Sequence, residues 1–396
     1  MKTFMFPGQG SQAKGMGGEL FDEFPDLVAK ADKILGYSIK ELCLEDKEKQ
    51  LGLTQFTQPA LYVVNALSYY KAIQDGDKPD FLAGHSLGEF NALLAAECFK
   101  FESGLKLVKK RGELMSQATG GGMAAVINAS EQQIRDLLVE HKLENIDLAN
   151  FNTPSQIVIS GKKDEVSSAQ AIFQEHNMLF IPLNTSGAFH SRFMADAKAE
   201  FGRYLKKFKF AEPSIPVIAN VTAEPYAEGQ LVDTLASQID SSVRWSDTVA
   251  MLMDKEGMEF VEIGHGDVLA KMVKKIAREL KKAKKAAQAP KAEAAKSEET
   301  AGTAKPEKAA EQAAPAAAKP AEPQAPVAKS EITIKAEQIV ADWNKNHPVG
   351  TKVKSSFADY PELTTRTEAM VLFGHRAAVY MQDYNGYFSL DELTAV

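Results

Sequence analysis

After about Leu280 the chain changes character, and that break limits what it can fold into more than any other feature. The stretch KKAKKAAQAPKAEAAKSEETAGTAKPEKAAEQAAPAAAKPAEPQAPVAKS, residues 281–330, has no aromatic residue and almost no branched apolar one. Such a segment buries too little apolar surface to offset the entropy lost on ordering it. It is expected to be a disordered Ala/Pro/Lys/Glu linker, semi-extended by its prolines, between a large body of 1–280 and a small module of 331–396. Length agrees, because 396 residues exceed the roughly 250 to 300 that one hydrophobic core usually spans.

Composition narrows the class. With 44% hydrophobic residues a wholly disordered chain is excluded, and 46 Lys and Arg against 53 Asp and Glu make it mildly acidic, at −7. No apolar run approaches the roughly 20 residues that cross a bilayer, and MKTFMFPGQGSQ breaks into Pro and Gly before a signal-like apolar region can form. A cytoplasmic protein is expected. Cys43 and Cys98 are too few for a disulfide framework and lack metal-site spacing, so both read as buried reduced thiols. Nine Lys and Arg against one Glu lie between Lys271 and Lys291. No aromatic residues interleave them for stacking on bases, so a solvated helix end is the expectation and nucleic acid is not.

Within 1–280, short apolar runs such as TFMF (3–6) and FLAG (81–84) alternate with longer segments whose apolar residues recur at three and four. That is the pattern of an α/β protein with a mostly parallel sheet. Between Met123 and Leu183 the series becomes β-α-β-β-α-β, the ferredoxin-like signature, so a small inserted lobe is expected over 123–189, with the large lobe formed by 1–122 and 190–280. A cleft between lobes is a natural ligand site. The module of 331–396 shows an amphipathic stretch at Ala336 to Trp343, β-rich runs near Lys352, at Met370 to Phe373 and at Ala377 to Tyr380, and a hairpin turn at Asp383-Tyr384-Asn385-Gly386. It reads as a small β-rich body without a catalytic constellation; His375 and Arg376 read as loop residues.

The chemistry centres on Gly84-His85-Ser86-Leu87-Gly88-Glu89, set between the strand FLAG and the helical run FNALLAAECF. Glycines on both sides let the backbone turn sharply, the hydroxyl stands at the apex, and the helix start offers free NH groups to an oxyanion. Ser86 is the candidate nucleophile, with a structural turn serine as the alternative. It needs a base. His85 would point away from its neighbour; His141 and His176 sit at polar helix ends; His347 and His375 lie beyond the linker. His190 follows the strand LFIPL and the turn Thr185-Ser186-Gly187-Ala188-Phe189, where the chain re-enters the large lobe, and is favoured. His265, in Gly264-His265-Gly266, competes.

Arg111 falls on the apolar stripe of its helix with Leu107, Val108, Leu114 and Met115, while Lys109 and Lys110 point away. A guanidinium on a buried stripe needs an anionic partner, either an internal Asp or Glu or a substrate carboxylate held bidentately. The loop Pro7-Gly8-Gln9-Gly10-Ser11-Gln12 lacks the Lys-Ser/Thr of a P-loop and the spacing of a dinucleotide fingerprint, so hydrogen bonding to a substrate carbonyl is expected there.

Taken together, FPGQGSQ, Thr57-Gln58-Pro59-Ala60-Leu61, Gly84-His85-Ser86-Leu87-Gly88-Glu89, Arg111-Gly112-Glu113-Leu114-Met115, Asn150-Phe151-Asn152-Thr153-Pro154 and Gly187-Ala188-Phe189-His190-Ser191 resemble, in order over 1–280, the malonyl-CoA:acyl carrier protein transacylases. The resemblance implies a large α/β-hydrolase-like lobe with a ferredoxin-like insert and no metal or redox cofactor. It implies that Ser86 attacks the malonyl thioester, His190 takes its proton, the amides of Gln9 and Leu87 hold the oxyanion, and Arg111 clamps the carboxylate. Phe189 would leave little room for an α-methyl branch, and His85, Asn152 and His265 would play supporting parts. The family orients its His with a backbone carbonyl near a Gly-Pro-Gly turn. Here that turn reads Gly264-His265-Gly266, which leaves the orienting group open.

The partner implied is an acyl carrier protein. The appended module, expected to bind a protein partner such as a polyketide synthase, suggests supply of malonyl units in trans to polyketide assembly more than to fatty-acid synthesis. The competing readings are a proofreading acyl hydrolase, against which a carboxylate clamp argues, and an inert docking scaffold, against which the joint presence of Ser86, His190 and Arg111 argues.

Overall fold

The computed structural model describes residues 1–297, 331–355, 363–372, 376–382, 387–390 and 393–395. The chain divides into two units, Met1–Thr303 and Ala304–Val396. In the first, the strands are β1 (Lys2–Phe6), β2 (Phe81–Gly84), β3 (Gly121–Ile127), β4 (Ile146–Thr153), β5 (Gln156–Lys162), β6 (Leu179–Pro182), β7 (Val217–Ile218) and β8 (Glu259–Glu262).

TFMF and FLAG are continuous apolar runs because they form central strands covered on both faces. They pair in parallel, Phe6 opposite Gly84, in a sheet of order β7-β2-β1-β8 whose every pairing is parallel. All four therefore end on one side, where an open α/β sheet gathers its ligand-binding loops. Helix Thr54–Gln74 contains the run TQPALYVVNAL, buried from Thr57 to Leu67, so it lies inside the core. Its Asn65 donates from Nδ2 to the Pro7 carbonyl at 2.9 Å, tying down the loop that follows β1.

Residues 121–182 form a second sheet, order β4-β5-β3-β6, antiparallel throughout, which makes the unit an α/β fold with sheets of both kinds. Ile134, Leu137, Leu148, Ile159, Val166 and Phe173 give this sheet and its two helices a core of their own. Met123, Ala125, Ala149 and Val158 instead join the main core, and Asn150 bridges Val243 in parallel, so the seam between the sheets runs along β3 to β5.

One boundary differs from expectation. The helix that begins at Val268 continues to Ser297, so residues 281–297, expected to be disordered, are helical. Ala, Lys, Gln and Glu are strong helix formers, and a nucleus already packed through Leu269, Val273 and Ile276 can propagate into them without burying more apolar surface. The rest of the expected linker, 298–330, lies outside the described residues.

The described part of the second unit begins with helix Glu331–Asn346. Its strands are β9 (Lys352–Ser355), β10 (Leu363–Thr364), β11 (Met370–Leu372), β12 (Arg376–Tyr380), β13 (Tyr387–Ser389) and β14 (Leu393–Ala395), in two antiparallel sheets ordered β10-β9-β14 and β11-β12-β13. β12 and β13 pair on either side of the expected hairpin turn, whose own residues 383–386 lie outside the described set, as do Phe373 and His375. Among the described residues no helix is long and apolar enough to cross a membrane.

Candidate active site

Ser86 stands between β2 and helix Gly88–Ala95 with φ +50, a left-handed conformation that costs a non-glycine residue about 1 to 3 kcal/mol. Two side chains hold it there. Asn220 Oδ1 accepts from the Ser86 amide at 2.7 Å, and Gln238 Nε2 donates to the Ser86 carbonyl at 2.7 Å. The flanking glycines are required by space: a Cβ on Gly84 would lie 2.0 Å from the Gly88 carbonyl carbon, and one on Gly88 would lie 1.9 Å from the Phe6 carbonyl oxygen. The elbow is thus packed directly against the end of β1.

His190 comes from the chain that re-enters the main core after β6, also left-handed, at φ +57, and is 4% exposed. Its Nε2 lies 2.8 Å from Ser86 Oγ. Its Nδ1 faces two carbonyls, Gln238 O at 2.9 Å and Ser241 O at 3.2 Å. Carbonyls only accept, so the ring proton sits on Nδ1 and Nε2 offers its lone pair to the hydroxyl. Burial, reinforced by the Arg111 charge, pushes the imidazole down to about 3, so it is neutral and ready to accept a proton.

Arg111 is 1% exposed and lies over the Phe90 ring at 5.6 Å. Its Nη1 donates to Gln58 Oε1 at 2.7 Å and its Nη2 to Gln238 Oε1 at 2.8 Å and Ser86 Oγ at 3.2 Å. All three acceptors are uncharged, Nε has no partner, and no carboxylate pairs with the guanidinium among the described residues. Of the two partners left open by the sequence, an internal Asp or Glu is therefore not in contact. The nearest acid acting on it is Glu89, one hydrogen bond further away: Gln238 Nε2 donates to Glu89 Oε2 at 2.7 Å. Desolvation brings the guanidinium down to about 10, still cationic at neutral pH, and pushes the Glu89 carboxyl up to about 7 against hydrogen bonds from Tyr226, Gln238 and Asn220.

A cavity of about 90 Å³ joins these groups; its wall includes Gln9, Leu87, Met115, Phe189 and Leu183 beside Ser86, Arg111 and His190. Among the described residues the amides of Gln9 and Leu87 donate to no other group, which leaves both for a ligand oxygen. His85 Nε2 meets Asn152 Oδ1 at 2.9 Å, and the ring packs edge-on to Trp245 at 5.7 Å. A larger basic groove of about 1110 Å³, lined by Lys30, Lys33, Lys106, Lys109 and Arg203 among others, contains none of the reacting side chains.

The structure brings together Ser86, His190, Arg111, Gln9, Leu87, Phe189, His85 and Asn152. It does not bring in His265. That residue sits in the loop after β8, where Gly264 packs against Asn65 and Pro7, and the carbonyls facing His190 Nδ1 come from Gln238 and Ser241. The orienting group left open by the sequence is thereby identified: the carbonyls that face His190 Nδ1 lie in the 238–241 turn. Gln58 stood in a quoted motif without a role, and sequence reasoning missed Asn220 and Gln238. Those two polar residues in otherwise ordinary segments carry no local signal; Glu89, an acid opening the buried run GEFNALLA, does.

Known proteins share this arrangement's sequence and fold. A family described as the acyl transferase domain matches residues 3–322. The polyketide biosynthesis malonyl CoA-acyl carrier protein transacylase PksC of Bacillus subtilis (strain 168) is 57% identical over 282 residues, covering 70% of this chain and 98% of that protein. The crystal structure of a malonyl CoA-acyl carrier protein transacylase from Burkholderia pseudomallei is 58% identical, with TM-score 0.69 over 70% of this chain and 98% of that one. A type II polyketide synthase acyl-carrier protein in complex with its malonyl-transacylase contains a chain 31% identical to this one, with TM-score 0.67 over 70% and 93% of the two chains. The chain belongs to the acyl transferase family, among its malonyl-CoA:acyl carrier protein transacylases.

Proposed function

We propose that this enzyme moves a malonyl group from malonyl-CoA to the phosphopantetheine thiol of an acyl carrier protein, in polyketide biosynthesis, through an ester on Ser86. The observation that carries the reading is the buried Arg111 guanidinium, 3.2 Å from the nucleophile and without a carboxylate of its own. A substrate that brings one anionic carboxylate supplies what the site lacks, and a neutral acyl chain does not. The named activity of the relatives agrees.

The steps follow from the geometry. Ser86 Oγ attacks the thioester carbonyl while its proton passes to His190 Nε2, 2.8 Å away. The tetrahedral oxyanion sits between the amides of Gln9 and Leu87, each such donor being worth roughly 3 to 4 kcal/mol in sites of this kind. Collapse breaks the C–S bond, and His190 returns its proton to the leaving CoA thiolate. The carrier thiol then gives its proton to His190 and attacks the malonyl ester, and the departing Ser86 oxygen recovers the proton. The Gln238 and Ser241 carbonyls hold the Nδ1 proton in place and share the charge of the transient imidazolium. Phe189, in the cavity wall, restricts room beside the α-carbon.

In the same reading the antiparallel sheet of 121–182 is a ferredoxin-like lobe inserted in a hydrolase-like one; its β4-β5-β3-β6 order supports this. The unit after Thr303 is taken to recruit a protein partner such as the synthase. Unchanged carrier loading and synthase association by a chain ending at Ser297 would contradict that. For the transfer itself, initial rates with malonyl-CoA and holo carrier protein both varied should give parallel reciprocal plots; intersecting ones would contradict the acyl-serine route.

A further inference from the structure

Gln238 is fully buried and uses every face of its side-chain amide. Oε1 accepts from Arg111 Nη2 at 2.8 Å, while Nε2 donates to the Ser86 carbonyl and to Glu89 Oε2, both at 2.7 Å. The amide could be turned either way by rotation about its last bond, and only one orientation serves Arg111, because a guanidinium has no acceptor. Neither an ionised carboxylate nor a carbonyl has a donor, so Glu89 and the Ser86 carbonyl together draw Nε2 to themselves and leave Oε1 for Arg111. Glu89 is itself fixed on its other oxygen by the Tyr226 hydroxyl at 2.5 Å and the Asn220 amide at 3.2 Å. Asn220 in turn holds the Ser86 amide and the Gly84 carbonyl, and the Gln238 main chain orients His190.

We propose that Glu89 is a positioning residue for acyl-group selectivity: by fixing the Gln238 amide, its carboxylate keeps Arg111 aimed at the acyl carboxylate beside Ser86. This deepens the transacylase reading and rests on it. A glutamine at position 89 cannot substitute. With its NH2 toward Gln238 it sets donor against donor there; turned over, it sets donor against the Asn220 amide. One face of the network then fails, and the Gln238–Arg111 contact is the one free to rearrange.

The test is the ratio of kcat/KM for malonyl-CoA to that for acetyl-CoA, which has no carboxylate to clamp. At pH 8, Glu89→Gln should lower this ratio about ten-fold, the scale of one hydrogen bond to a charged group. In an Arg111→Ala background it should change the ratio no further. A role in folding alone would depress both donors together and leave the ratio alone. A Glu89→Gln ratio within two-fold of the native one, or above it, in an enzyme that still malonylates Ser86 overturns the proposal. So does a Glu89→Asp ratio within two-fold of the native one, since the shorter carboxylate keeps the charge but draws back from Gln238 Nε2, and this keeps the test open if the Gln variant does not fold. Failure of native Ser86 to take malonyl overturns the transacylase reading, and this inference with it.

Discussion

Two consecutive residues on helix Phe101–Ser116 carry the same charge into opposite surroundings. Lys110 turns outward and pairs with Glu200 at 2.5 Å, and its neighbour Lys109 donates to the Ile34 carbonyl at 3.0 Å. Arg111 turns inward, is 1% exposed, and meets only uncharged acceptors. On stability grounds this is the wrong way round, since a buried cation without a counter-charge is expensive and an exposed pair is worth little. In the proposed reading the inward face awaits a charge that arrives with the substrate, whereas Lys110 on the outward face already has its partner.

Substitutions can break or sharpen that contrast. Arg111→Ala should reduce kcat/KM for malonyl-CoA by about a hundred- to a thousand-fold, on the scale of losing one partner of a buried pair, and leave acetyl-CoA much less affected. Steady-state rates with both donors check it, and equal losses would mean that the residue is structural. Arg111→Lys keeps the charge but replaces the planar fork by a point donor that cannot serve Gln58 and Gln238 together, so about a ten-fold loss is expected. A smaller shift is one of pH. Arg111 helps hold His190 near 3, so Arg111→Ala should raise the pKa of the base. The acid limb of acetyl transfer then moves to higher pH, the imidazole being charged, and useless as a base, over a wider range. At the small end, Lys110→Ala should change either rate by less than about two-fold and stability by less than about 1 kcal/mol, read by thermal unfolding.

How far the sequence revealed this site depends on the reach of the interaction involved. Ser86 was legible because a strand, an elbow and a helix are local, and Gly84 answers to a contact with Gly88, four residues on. Arg111 was legible as a charge on an apolar stripe, although only the fold shows that no acid meets it. The parallel core and the antiparallel series of 121–182 followed from hydrophobic period and element order. Gln238 was not legible. Its roles depend on partners 127, 149 and 152 residues away, and nothing in LASQID distinguishes a buried amide from a surface one. The group that orients His190 stayed open for the same reason: the main-chain carbonyls of Gln238 and Ser241 leave no mark in a sequence. At the other boundary, the loss of apolar residues after Leu280 marked the end of the core but not the end of the helix, because Ala, Lys and Glu support a helix by their own propensity.

The most direct test of the central claim is intact-protein mass spectrometry of the full chain after mixing with malonyl-CoA, acetyl-CoA or methylmalonyl-CoA, beside Ser86→Ala, followed by holo acyl carrier protein. The account predicts a malonyl adduct that forms in preference to the other two, is absent in Ser86→Ala, and moves to the carrier when the carrier is added. An adduct that persists without Ser86, or one that is lost to water at the same rate with and without carrier, would contradict it.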